Sequence, residues 1–75
     1  MQSIYFTIGK NLTLLRKSKK LKQRELAELL EIERSNYAYY ESGGHKIPLD
    51  ILVKLADYYD VSLDGIIRTN KNKHS

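Results

Sequence analysis

Cysteine and tryptophan are absent, proline occurs once, and the longest strictly aliphatic run is Ile51-Leu52-Val53. Each shortage closes a route. Without cysteine there are no disulfides and no thiolate metal sites. His45 and His74 are the only histidines and stand far apart, so they do not make a metal site, and nothing calls for a cofactor. The aliphatic runs are too short to span a membrane. The start, Met-Gln-Ser-Ile, lacks a basic segment followed by an apolar one and does not read as a signal peptide, so a cytoplasmic protein is expected. There is no carboxylate pair, no nucleophile beside a base and no glycine-rich phosphate loop, which argues against an enzyme.

What is present suits one small helical unit. A chain of 75 residues buries only about 60% of the surface its unfolded form exposes. Its 41% hydrophobic content must supply the core. The net charge is +4, and its distribution is uneven. Lys10, Arg16, Lys17, Lys19, Lys20, Lys22 and Arg24 fall in fifteen residues without an acid, followed at once by Glu25, Glu28, Glu31 and Glu33. The basic block is a candidate anion-binding patch, with a solvated helix end as the plain alternative.

Apolar residues recur at helical spacing five times. Ile8, Leu12 and Leu15 predict a helix over 5–19; Leu26, Leu29 and Leu30 one over 23–30; Tyr37 and Tyr40 one over 34–41. Leu52, Leu55, Ala56 and Tyr59 predict a fourth over 49–59, and Leu63, Ile66 and Ile67 a fifth over 63–68. The domain is expected over 1–69, with a disordered basic tail at 70–75. Leu21 with Leu26, Ile32 with Tyr37, and Val61 with Ile66 have the spacing of an apolar staple across a helix start. Ser62 is a good N-cap, Lys22 and Glu33 are poor ones, and Gly43 suits a left-handed C-cap.

The second and third helices are joined by only Glu31 to Glu33, and Ala27 is small enough to let their backbones approach. Counted from Gln23, apolar residues hold the fourth, eighth, tenth, fifteenth and eighteenth places: Leu26, Leu30, Ile32, Tyr37 and Tyr40. That is the pattern of a helix-turn-helix. At about 100° per residue, Tyr37 and Tyr40 of the third helix point inward with Ile32 behind them. Ser35 and Tyr39 point outward, with Arg34 and Ala38 beside them. Such an outer side suits the major groove. Arg34 can pair with guanine, Ser35 can bond to either base type, and Glu33 can accept from a cytosine amine. Tyr39 can reach a phosphate or a thymine methyl. Gln23 opens the second helix, where free backbone N–H groups can hold a phosphate. Lys22, Lys46, Lys19 and Lys20 are candidate phosphate contacts.

The segments LKQRELAELL, IERSNYAYYESG and IPLDILVKLADYYDVSLDGII resemble the Cro/CI-type helix-turn-helix domains of bacterial and phage repressors, also called the xenobiotic-response-element family. The resemblance covers about residues 6–69. It implies an all-α, compact five-helix lambda-repressor-like domain that binds double-stranded operator DNA as a homodimer and regulates transcription, more often by repression. It implies that Glu33, Arg34, Ser35 and Tyr39 face bases, that Asn36 contacts the backbone, and that Gln23 clamps it. Arg16 and Glu41 would form a partly buried structural ion pair between the first and third helices. The sequence departs from the family at Glu31, where glycine is usual; a left-handed glutamate there costs roughly 1 kcal/mol. Gly44 replaces a common basic residue and Gly65 a common aromatic. Ile66, Ile67 and Tyr58 are candidates for the dimer surface, with plain core as the other reading. A protein-interaction module or antitoxin component, using Glu25, Glu28, Glu31 and exposed tyrosines, is the competing function.

Overall fold

Short joints between helices set the architecture, and three of them share one grammar. The computed structural model describes residues 3–68. Five helices follow in order: α1 (Ile4–Ser18), α2 (Gln23–Leu30), α3 (Arg34–Ser42), α4 (Leu49–Tyr59) and α5 (Leu63–Ile67), with no strand among the described residues. The predicted spans agree to within a residue at each end. Ser3 caps α1, its Oγ accepting from the Tyr5 N–H at 3.0 Å, a polar contact that apolar periodicity does not mark. The predicted tail at 70–75 lies outside the described residues.

The joints α1–α2, α2–α3 and α4–α5 each read as a left-handed residue, an apolar residue and an N-cap: Lys20-Leu21-Lys22, Glu31-Ile32-Glu33 and Asp60-Val61-Ser62. In each, the apolar residue's N–H returns to a carbonyl five residues back: Leu21 to Arg16 at 3.1 Å, Ile32 to Ala27 at 3.0 Å, and Val61 to Ala56 at 3.0 Å. These bonds satisfy carbonyls that the helix end leaves open. The same three side chains pack against the core, so one residue closes one helix and precedes the next.

Glu31 takes φ 60°, ψ 44°, the left-handed shape expected at a position where the family resemblance implies glycine. The bond from Ile32 to Ala27 holds it there. Replacing Glu31 with glycine removes the Cβ strain but loosens the unfolded chain. We expect Glu31→Gly to change stability by less than about 1 kcal/mol, toward greater stability, as read by urea denaturation.

The cap of α2 is half built. Lys22 has no acceptor, but Glu25 reaches back to accept from the Lys22 N–H at 2.7 Å. Glu33 makes no side-chain cap bond, so its contribution at the start of α3 is its charge on the helix dipole.

The core gathers Ile8, Leu12, Leu26, Ala27, Leu30, Tyr37, Tyr40, Leu52, Leu55, Ala56, Tyr59 and Ile66. Ile47, in the loop before α4, joins them; no helical spacing marks it. Ile66 is 0% exposed, which removes its side chain from any dimer surface: α5 is one turn long and turns this residue onto the core. Ile67 is half-buried and Tyr58 exposed. Asn11 fastens α5 to α1, its amide donating to the carbonyls of Ile66 at 2.7 Å and Arg68 at 3.0 Å. α1 also crosses α3 closely at Gly9, where an added Cβ would lie 2.3 Å from the Glu41 carbonyl oxygen and 2.6 Å from that of Tyr40.

Candidate nucleic-acid interface

α3 has two unlike sides. Tyr37 and Tyr40 are buried, and Arg34, Ser35, Asn36 and Tyr39 are exposed, with Ala38 half-buried between them. Apart from His45, which lies on the Tyr39 ring, this outer side is open. Arg34, Ser35, Ala38, Tyr39 and Ser42 border a shallow open hollow along it. A second hollow, bordered by Arg16, Lys22, Gln23, Arg24 and Arg34, lies at the start of α2. Arg34 stands between the two. Of the predicted contact residues, Lys22, Gln23, Arg34, Ser35 and Tyr39 therefore border two hollows that meet at Arg34, with four cationic side chains around the second. Lys46 is exposed in the loop after α3. Glu33, at the N-cap of α3, and Asn36 are also exposed.

Behind the surface sits a carboxylate hub. Glu41 accepts from Arg16 Nε at 2.7 Å and Arg16 Nη2 at 3.1 Å, from Thr13 Oγ1 at 3.0 Å, and from Gln23 Nε2 at 3.0 Å. Arg16 Nη1 donates in turn to the Leu21 carbonyl at 2.9 Å. The ion pair implied by the family resemblance thus joins α1, α2, α3 and the first joint. Burial alone would push the Glu41 carboxyl up, but the bonds from Arg16 and Gln23, with the Tyr37 hydroxyl close by, more than offset it and hold the group below its ordinary 4.5. The bond to Glu41 raises the Arg16 guanidinium, against the opposing effect of burial. Tyr37 Oη lies near the carboxylate without meeting good hydrogen-bond geometry, and Tyr59 Oη is also buried without a partner. Burial and the Glu41 charge push the Tyr59 hydroxyl up to about 12. All these groups keep one charge state across neutral pH, so the hub serves as scaffold.

Gln23 has two faces in consequence. Its amide nitrogen is anchored to Glu41, which fixes the side chain for which the family resemblance implies a phosphate clamp. Thr13 and Asn11 carry structural bonds that no spacing announces. His45 also escapes notice in the sequence, yet its ring stacks on Tyr39 with centroids 4.5 Å apart and planes 12° from parallel. No group of three or more metal-ligating side chains gathers among the described residues. No helix among them is long and apolar enough to cross a membrane.

Comparison with known proteins agrees with this geometry. The helix-turn-helix family matches residues 12–66. The HTH-type transcriptional regulator YobD of Bacillus subtilis is 51% identical over 53 residues, which are 71% of this chain and 47% of that protein. Repressor protein C of Escherichia phage P2 is 35% identical over 49 residues, covering 65% of this chain and 50% of that protein. The crystal structure of a transcriptional regulator from Listeria innocua superposes with a TM-score of 0.77 at 37% identity, over 80% of this chain and 56% of that one. The chain spans about half the length of the curated relatives it matches. With the outward stripe of α3 and the helix joints, these matches show that the chain belongs to the helix-turn-helix family, as a domain of the Cro/CI type.

Proposed function

We propose that this chain is a sequence-specific DNA-binding domain that works as a homodimer and represses transcription by occupying operator DNA. The observation that carries the reading is the open outer side of α3: Arg34, Ser35, Asn36 and Tyr39 stand free while Tyr37 and Tyr40 on the same helix are buried. A helix so anchored can enter a major groove without disturbing its own core. Arg34 offers a paired donor to guanine O6 and N7, and Ser35 bonds to either base type. Glu33 accepts from cytosine. Asn36, Lys22 and Lys46 bind the backbone, as does Gln23 through the amide hydrogen that Glu41 leaves free. Arg24 adds charge at the same end. A two-fold pair places its reading helices about 34 Å apart on successive major grooves. Tyr58 and Ile67 remain as its candidate contact residues. Repression is supported by the similarity to Repressor protein C and by the simplest consequence of groove occupancy, the exclusion of other proteins.

Selection from random-sequence duplex DNA tests the reading. A near-palindromic motif is expected, with affinity falling steeply in salt at a slope near −0.9 per phosphate contact. Arg34→Ala should relax preference at one base position at a cost of about 1–3 kcal/mol; Lys46→Ala should weaken all sequences alike and reduce the salt slope by about 1. Equal binding to every duplex would sink the proposal. A protein-interaction role has less support, since Glu25 is occupied in capping α2.

A further inference from the structure

The ring of Tyr39 is built into its position. It is 52% exposed, which ordinarily leaves an aromatic side chain free to change rotamer. Here the loop after α3 turns back over it. The Gly44 N–H donates to the Tyr39 carbonyl at 3.0 Å and to Ser42 Oγ at 3.2 Å. Gly44 itself runs along the ring's edge: a Cβ there would lie 3.4 Å from Tyr39 Cδ1. The next residue, His45, lays its imidazole flat on the ring at 4.5 Å. The imidazole in turn meets the buried Tyr40 edge-on, with centroids 6.5 Å apart and planes at 69°. A chain of aromatic contacts thus runs from the core through Tyr40 and His45 to Tyr39. Offset stacks and edge contacts of this kind are favourable beyond the area they bury. They give the outermost ring a support that a lone surface tyrosine lacks.

Both Tyr39 and His45 are exposed, so the arrangement adds little to the core. Its effect falls on the outer side of α3. Beside Tyr39, the small side chains of Ser35, Ala38 and Ser42 leave the shallow hollow described above, with Arg34 at its far end. A ring fixed in place makes a rigid apolar flank next to the Ala38 methyl. The apolar group that a major groove offers to such a flank is the C5-methyl of thymine.

We propose that His45 is a positioning residue of the DNA-reading surface, whose stack on Tyr39 holds that ring in place to contact a thymine methyl. The inference rests on the DNA-binding reading given above. His45 touches no base in this account. It acts through Tyr39, by making the ring ready before DNA arrives, so that no rotamer freedom is lost on contact.

Deoxyuridine substitution isolates the methyl, because it leaves base pairing and every hydrogen-bonding group of the groove intact. A duplex selected from random sequence is taken, and each thymine of one half-site is replaced singly by deoxyuridine. For the unmodified protein, one position is expected to weaken binding about fourfold, the effect of withdrawing one methyl from an apolar contact. His45→Ala should bring that ratio close to one, with no more than a small fall in the thermal midpoint. His45→Phe keeps a stacking ring without the imidazole and should restore the ratio. A purely structural role for His45 would move the midpoint and not the ratio. The proposal fails if no thymine responds, or if His45→Ala keeps the wild-type ratio. Failure to select any sequence at all would overturn the DNA-binding reading with it, so the two failures are distinguishable.

Discussion

Replacing Arg16 with alanine is expected to lower stability by about 3–5 kcal/mol at neutral pH, a large share of what a domain this small possesses. The Arg16 side chain is 13% exposed and that of Glu41 only 5%, so solvent cannot take over the lost bonds. Removing the guanidinium deletes two bonds to Glu41 and one to the Leu21 carbonyl. What remains around the carboxylate is Gln23 and Thr13, two neutral donors facing a buried negative charge. The response to acid gives the effect a second signature. In the wild type, the folded Glu41 carboxyl lies below its unfolded value near 4.5, so its contribution is complete above that pH. It is lost as pH falls through the depressed folded value. In Arg16→Ala the burial that pushes the carboxyl up is no longer opposed by the guanidinium. The deficit of the variant should therefore shrink on acidification, as Glu41 takes up a proton and ceases to be a stranded charge. Urea melts at pH 7 and pH 4 measure both points. A variant with the wild-type midpoint at pH 7 would mean that the pair carries no net stability.

Gly9→Ala is the second large effect, and its sign separates two accounts. By helix propensity alone, alanine in the middle of α1 should stabilise by about 1 kcal/mol. The packing says the reverse. A Cβ at residue 9 would sit 2.3 Å from the Glu41 carbonyl oxygen and 2.7 Å from the Glu41 carbonyl carbon, and both atoms are backbone. Backbone cannot rotate aside as a side-chain tip can, so α1 must move away from the end of α3. That shift would loosen the contact of Phe6 with Gly43, where the chain turns left-handed at φ 82°, and would stretch the Arg16–Glu41 pair. We expect a net loss of about 2–3 kcal/mol, in the upper range for overpacking. Thermal unfolding decides it: a midpoint equal to or above the wild type would show that α1 and α3 are not held this closely.

How much of this could be seen in the sequence depends on the distance over which each feature is determined. The five helices and the two sides of α3 are set by apolar spacing within a dozen residues, and the periodicity of Tyr37 and Tyr40 is enough to predict them. Glu31 was marked by a single departure from a family pattern, and it takes the left-handed conformation that the position demands. The close approach at Gly9 joins residues 9 and 41, and the Asn11 bridge joins residues 11 and 66; nothing local announces either partner. An isolated glycine within a helical pattern is nonetheless a hint of close backbone contact. Ile66 was open to a surface reading because α5 is only five residues long and shows too little of a period to tell its inner side. His45 was invisible for another reason: a stack on an exposed ring follows from how a loop folds back, and loops have no period.

The repeated corners at Lys20–Lys22, Glu31–Glu33 and Asp60–Ser62 also say where the chain can vary in length. In each, one apolar side chain belongs to two helices at once, so an inserted residue would part it from one of them. The link from Gly44 to Pro48 is different: Ile47 reaches the core and His45 meets Tyr40, but neither closes one helix while preceding the next. Changes of length among family members should therefore be rarer at the three corners than in the link from Gly44 to Pro48.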